Sequence, residues 1–278
     1  MSDERSVGAR RNNQLDPRIP IPGTTNVRDV GGYPTGDGKR TAMGRLYRSE
    51  VLGLSGSGAE SLWDELRTED YQCLRLRSIV DLRSHREARM IPSAWDRATG
   101  AQLFHAPIPE GVEGSETDFM RLLRDGKITT FDEEDLGRWY QMVLRRRTDV
   151  LGEVIRVLSN PHHLPALVHC HAGKDRTGLV VALVLEVVGV PRNVVTADYA
   201  LTSKYRPDRA AEHAALLEHL GIHVDDVRSL WEAPARAMES ALEFLDITYG
   251  GVAAYLTNEC SVTPAHIESL RAQMLEDA

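Results

Sequence analysis

Between Val168 and Gly178 the chain reads Val-His-Cys-His-Ala-Gly-Lys-Asp-Arg-Thr-Gly, and this stretch limits fold and chemistry together. Pro165 to His169 reads as a short buried strand entering a loop, and the apolar run Leu179 to Leu185 reads as a buried helix leaving it. Gly189 and Pro191 supply the helix stop. A strand–loop–helix unit of this kind implies an open α/β sheet, which places ligands at the C-terminal ends of its strands.

Cys170 and Arg176 lie six positions apart across that loop. A phosphate monoester attacked by a thiolate needs this spacing. Loop N–H groups can converge on the phosphate oxygens, as anion nests and helix N-termini do. The planar fork of Arg176 can hold two oxygens at once, which a lysine does less well. Cys170 then lies beneath phosphorus, where the same inward dipoles suit a thiolate. Cys-x5-Arg alone is a weak signal, and a buried core cysteine beside an incidental arginine competes with it. The strand before the loop and the helix after it decide against that competitor.

The segment His169-Cys170-x-Ala172-Gly173-Lys174-Asp175-Arg176-Thr177-Gly178 resembles the active-site motif of the atypical bacterial tyrosine phosphatases, the PtpB-like group. Asn26 to Tyr33, Gly44 to Ser49 and Val80 to Ser84 with Glu87 are similar to that family's earlier blocks. Asp198-Tyr199-x-Leu201-Thr202 and Tyr249 to Leu256 are similar to its C-terminal blocks, so the resemblance spans most of residues 24–275. It implies a cysteine-phosphatase fold of class α/β, a short, mainly parallel sheet flanked by helices, with a helical lid in some members.

On this reading Cys170 attacks phosphorus and forms a cysteinyl-phosphate that water hydrolyses. Residues His171, Ala172, Gly173, Lys174, Asp175 and Arg176 form the phosphate cradle, and neither metal nor cofactor is expected. Thr177 offers its hydroxyl to the thiolate or simply serves the helix start. His169 holds the loop from the strand end. Two residues compete as general acid, because no Trp-Pro-Asp tripeptide occurs. Asp175 lies inside the cradle and the resemblance favours it, whereas Asp81 closes a neighbouring strand on the same rim. Lys174 and His171 add positive charge that suits multiply phosphorylated ligands, unless Lys174 points outward to pair with an acid. Expected substrates are phosphorylated proteins (phosphotyrosine, then phosphoserine or phosphothreonine) or phosphoinositides.

The rest of the chain is compatible with this. A net charge of -8 argues against general nucleic-acid binding. Cys73, Cys170 and Cys260 are too few and too scattered for a disulfide framework, and a nucleophilic thiol needs a reducing compartment. Residues 1–20 lack an apolar signal segment and no run is long enough to span a bilayer, so a cytoplasmic protein is expected; export by a route needing no signal peptide stays open. A binding-only pseudophosphatase is the alternative function, and the intact Cys170, Asp175 and Arg176 set argues against it. A sulfur- or arsenate-handling enzyme would pair the nucleophile with further cysteines close in sequence.

Residues 1–18 read as a flexible tail and residues 19–278 as one domain. Gly36-Asp37-Gly38 marks a hairpin turn, and Arg28 and Asp29 could reach the active-site rim. Residues 57–74 read as a helix with Leu62 and Leu66 inward, and residues 139–158 as one amphipathic helix. Residues 109–137 read as a lid insertion with a short helix near 119–123. Residues 206–278 read as helical, the last helix starting at Thr263-Pro264.

Overall fold

The structure, a computed structural model, describes residues 16–111, 118–206 and 209–278. Its central sheet comprises β1 (Arg28–Asp29), β2 (Leu46–Ser49), β3 (Ser78–Asp81), β4 (Gln102–His105) and β5 (Ala166–His169). Across the sheet the order is β1-β2-β5-β3-β4, with only the β1–β2 pairing antiparallel. The late strand β5 inserts between two early ones. Its C-terminal end therefore emerges mid-sheet, with Ser49 and Asp81 in register on either side of His169. This is the switch point at which open α/β sheets bind ligands.

Side chains alternate along each strand, so both faces of the sheet are apolar. Leu46, Val80, Ala166 and Val168 join the large core, while Tyr47, Ile79 and Leu167 join a smaller one with Tyr71 and Trp95. The helix Asp175–Val187 is the centre of the large core, and its run from Leu179 to Leu185 is buried all round. Each such aliphatic side chain contributes about 1.5–3 kcal/mol on burial. The helices Glu133–Arg146, Thr148–Ser159 and Ala235–Tyr249 complete that core.

Several local expectations change. Residues 57–74 are not one helix: Ser61–Leu62 pairs in parallel with Leu52–Gly53, and only Glu65–Arg67 and Thr68–Gln72 are helical. Turn chemistry prevails there, because Gly56 and Gly58 sit at φ +77 and +79 and Asp64 accepts from the Leu66 N–H. Leu66 ends 97% exposed instead of inward. Residues 139–158 divide into two helices that meet at Arg147, whose φ of -123 and ψ of 31 leave the helical region. Within the part expected to be helical, residues 209–220 form two short helices, Arg209–Glu212 and Ala214–Leu220.

The C-terminal part is not wholly helical either. After Pro264–Met274, Leu275–Asp277 adds antiparallel to Lys39–Thr41, the outer arm of the Gly36-Asp37-Gly38 hairpin. Residues 1–15, most of the expected tail, and residues 112–117, inside the expected lid, lie outside the described residues. The remainder of that lid segment carries the helix Phe119–Arg124, with Phe119 packed on Phe131 and Trp139 at ring separations of 4.8 and 5.4 Å. Among the described residues no helix is long and apolar enough to cross a membrane.

Candidate active site

Cys170 follows the last residue of β5 and opens a loop that ends in the helix Asp175–Val187. Gly173 turns this loop at φ +65, and a Cβ there would collide with the Ser49 carbonyl and the Glu50 nitrogen. Only glycine meets both conditions. Asn26 Nδ2 donates to the Ala172 and Gly173 carbonyls, both at 3.4 Å, and Arg48 Nη2 donates to the Gly173 carbonyl at 2.9 Å. Carbonyls held behind the loop in this way are what an anion nest requires, since its N–H groups are then left for the ligand.

The anchors form a buried network. Asp198 accepts from Arg48 Nη1 at 2.6 Å, from Arg28 Nε at 3.0 Å and from the Tyr33 hydroxyl at 2.9 Å. Arg28 also donates to the Asn26 side-chain oxygen. Arg28 therefore lies behind the loop, not at its rim, and Asp29 accepts from the N–H groups of Gly31 and Gly44. Burial alone would raise the Asp198 carboxyl, but the two guanidiniums outweigh it and hold it at about 2. Because that value lies below the unfolded one of about 3.9, the stabilisation is present above pH ~4 and is lost as pH falls through about 2. Asp198→Asn strands two buried guanidiniums and is expected to cost about 3–5 kcal/mol, measured by urea unfolding at neutral pH.

The loop floors an open cavity of about 330 Å³, lined by Cys170, Asp175 and Arg176 together with Glu87, Glu110 and Trp231. Arg176 is buried and donates through both Nη atoms to Glu87, at 2.6 and 2.7 Å, and through Nη1 to the Ile108 carbonyl at 3.2 Å. Asp175 Oδ1 accepts from the Tyr140 hydroxyl at 2.6 Å, and that hydroxyl meets the Tyr199 hydroxyl at 2.6 Å. Lys174 is neither a free cation on the floor nor a surface residue. Its ammonium donates to the Ser229 and Glu232 carbonyls, both at 2.9 Å, and pairs with Asp175 at 3.0 Å. His171 does not add charge at neutral pH, because burial lowers it from its ordinary value despite Glu87 and Glu60 nearby.

The two candidate acids separate here. Asp81 is buried in a fork with Arg83, at 2.9 Å to Nε and 2.5 Å to Nη2, and does not line the cavity. Burial would raise it, but His169 and Arg83 keep it below the usual carboxylate range. His169 Nδ1 lies 3.0 Å from the Cys170 carbonyl and Nε2 lies 3.3 Å from Ser93 Oγ, a structural placement. The Thr177 hydroxyl is buried and has no hydrogen-bond partner among the described residues, so it makes neither a bond to the Cys170 sulfur nor one at the helix start.

Several contributors were not legible as site residues, Tyr140 and Glu110 among them. Glu87 sits in a Ser84-x-x-Glu87 capping box, a readable signal for a helix start but not for an arginine clamp. Asn26, Arg48 and Asp198 lie in blocks whose pattern is visible, yet the donation of Asn26 and Arg48 to loop carbonyls, and of Arg48 to Asp198, spans sequence separations above a hundred residues.

A family model described as "Tyrosine phosphatase family" matches residues 19–276. The triple specificity protein phosphatase PtpB of Mycobacterium tuberculosis is 29% identical, over 92% of this chain and 98% of its own length. A putative tyrosine-protein phosphatase of Cupriavidus necator is also 29% identical, over 87% of this chain and 84% of its own. Among solved structures, P. aeruginosa TpbA aligns at 17% identity and a TM-score of 0.32, over 68% of this chain and 86% of that one.

Proposed function

Because this chain belongs to the tyrosine phosphatase family, we propose that it hydrolyses phosphate monoesters through a cysteinyl-phosphate, without a metal. One observation carries the reading: Cys170, the loop amides and the Arg176 fork meet at the floor of a single cavity. Cys170 attacks phosphorus in line while the loop N–H groups and the helix N-terminus offset the equatorial charge. Arg176 adds a fixed guanidinium to that charge, with Glu87 setting its plane. Water then releases phosphate. Asp175, whose Oδ1 accepts from the Tyr140 hydroxyl and lies 3.0 Å from the Lys174 ammonium, takes the proton of that water.

Phosphotyrosine on proteins is the first substrate class to test, since the family supports it. The mycobacterial relative is named for triple specificity, and phosphoserine and phosphothreonine are the next classes to test. Arg124 at the cavity, with Arg206 and Arg209 paired there to Glu60, keeps phosphoinositides among them as well. A binding-only role leaves a thiol at this position without use. Acid-quenching the enzyme during turnover in EDTA should leave phosphate on the peptide that carries Cys170. Loss of turnover on chelation, or no phosphate on that peptide, overturns the mechanism.

A further inference from the structure

If the cysteine mechanism proposed for this cavity holds, its first step still lacks a proton for the departing oxygen. Besides Asp175, two carboxyls face Arg176 in the cavity, and their surroundings differ. Glu87 takes both Nη atoms of Arg176 and the Ser84 N–H at 2.8 Å. Burial opposes its charge, but Arg176 prevails and holds it at about 2. Glu110 has only the rim of the same guanidinium, with Oε1 3.6 Å from Nη2, too long for a hydrogen bond. Burial raises it to about 7, reinforced by Glu87 and Asp175 and countered by Arg176 and the Phe119 N–H. Two carboxyls driven apart around one arginine are a known signature of divided acid–base roles.

Glu110 is also held in place. Its Oε2 accepts from the Phe119 N–H at 2.9 Å, and its main-chain carbonyl accepts from Trp139 Nε1 at 2.8 Å. It follows β4 on the C-terminal rim of the sheet, the rim from which Cys170 emerges. We infer that Glu110 is the catalytic residue that protonates the leaving oxygen, an assignment that rests on the cysteine mechanism. As the sulfur–phosphorus bond forms and the phosphorus–oxygen ester bond breaks, the Glu110 proton passes to the departing oxygen. In the second step the water oxygen bonds to phosphorus, the sulfur–phosphorus pair returns to Cys170, and the water proton passes to Asp175. Both carboxyls then exchange with solvent. A bound phosphate dianion brings further negative charge to Glu110 and keeps its proton in place until transfer.

Glu110→Gln keeps size and an acceptor for Phe119 but has no proton to give. Its kcat is expected to fall on the order of 10²–10⁴-fold for alkyl and phenyl phosphates, and by no more than about tenfold for dinitrophenyl phosphate, which needs no acid. The wild-type fall in kcat/KM as pH rises above about 7, which reports the free enzyme, should vanish in this variant. Asp175→Asn should instead let phosphoenzyme accumulate. A Glu110→Gln loss that is equal for all leaving groups, or a basic limb that survives, overturns the assignment. Should the glutamine variant fail to fold, Glu110→Asp must move the midpoint of the basic limb, and an unmoved limb overturns it equally. Failure of the underlying mechanism looks different, since wild type then forms no phosphocysteine at all.

Discussion

Cys170→Ser is expected to remove p-nitrophenyl phosphate turnover, a loss on the order of 10⁵–10⁶-fold of the kind seen when a nucleophile is deleted. A serine hydroxyl at this position stays protonated at neutral pH. The imidazole of His169, the residue before it, is turned to the Cys170 carbonyl and Ser93. The cradle survives the change, because Gly173, Asn26 and Arg48 hold it through backbone groups and not through the thiol. Inorganic phosphate or vanadate should therefore still bind, which separates a lost nucleophile from a collapsed site. Residual turnover within tenfold of wild type, measured in EDTA, would sink the cysteine mechanism.

Arg176→Lys is expected to lower kcat/KM on the order of 10³-fold, although it keeps the charge. The guanidinium spans both oxygens of Glu87 and the Ile108 carbonyl, and a lysine ammonium is a point donor that cannot hold such a plane. The change also weakens a pair whose arginine side chain is only 3% exposed, so the thermal midpoint should fall with it. Measuring kcat/KM beside thermal unfolding distinguishes the two losses. A variant that keeps kcat/KM within about tenfold of wild type would mean that the fork is not needed.

Much of the site is readable along the chain. The Cys170-to-Arg176 loop, its strand and its apolar helix are local in sequence, so alternation, turn residues and spacing are enough to place them. The helix start at Thr263 is equally local, a capping residue that acts within one turn. The failures are local patterns overruled by turn geometry. Leucines at helical spacing in residues 57–74 could not reveal that left-handed glycines and an Asp64 turn break the helix. The separation of Asp81 from the cavity is equally hidden, since Arg83 is only two residues away and its fork geometry appears only once the strand is built.

By itself the sequence determined the class of fold, the position of the anion loop and the pairing of a thiol with a guanidinium. Each depends on periodicity or on residues within about a dozen positions, where covalent geometry limits the outcomes. The tertiary structure alone decided which groups surround that loop. It put Glu87 on Arg176, tied Lys174 to the carbonyls of Ser229 and Glu232, and turned Asp81 away from the cavity. It also placed Glu110 where burial and neighbouring carboxylates keep its proton near neutral pH. Electrostatic roles of this kind arise from charges and desolvation across a folded cavity, and spacing along a chain does not encode them.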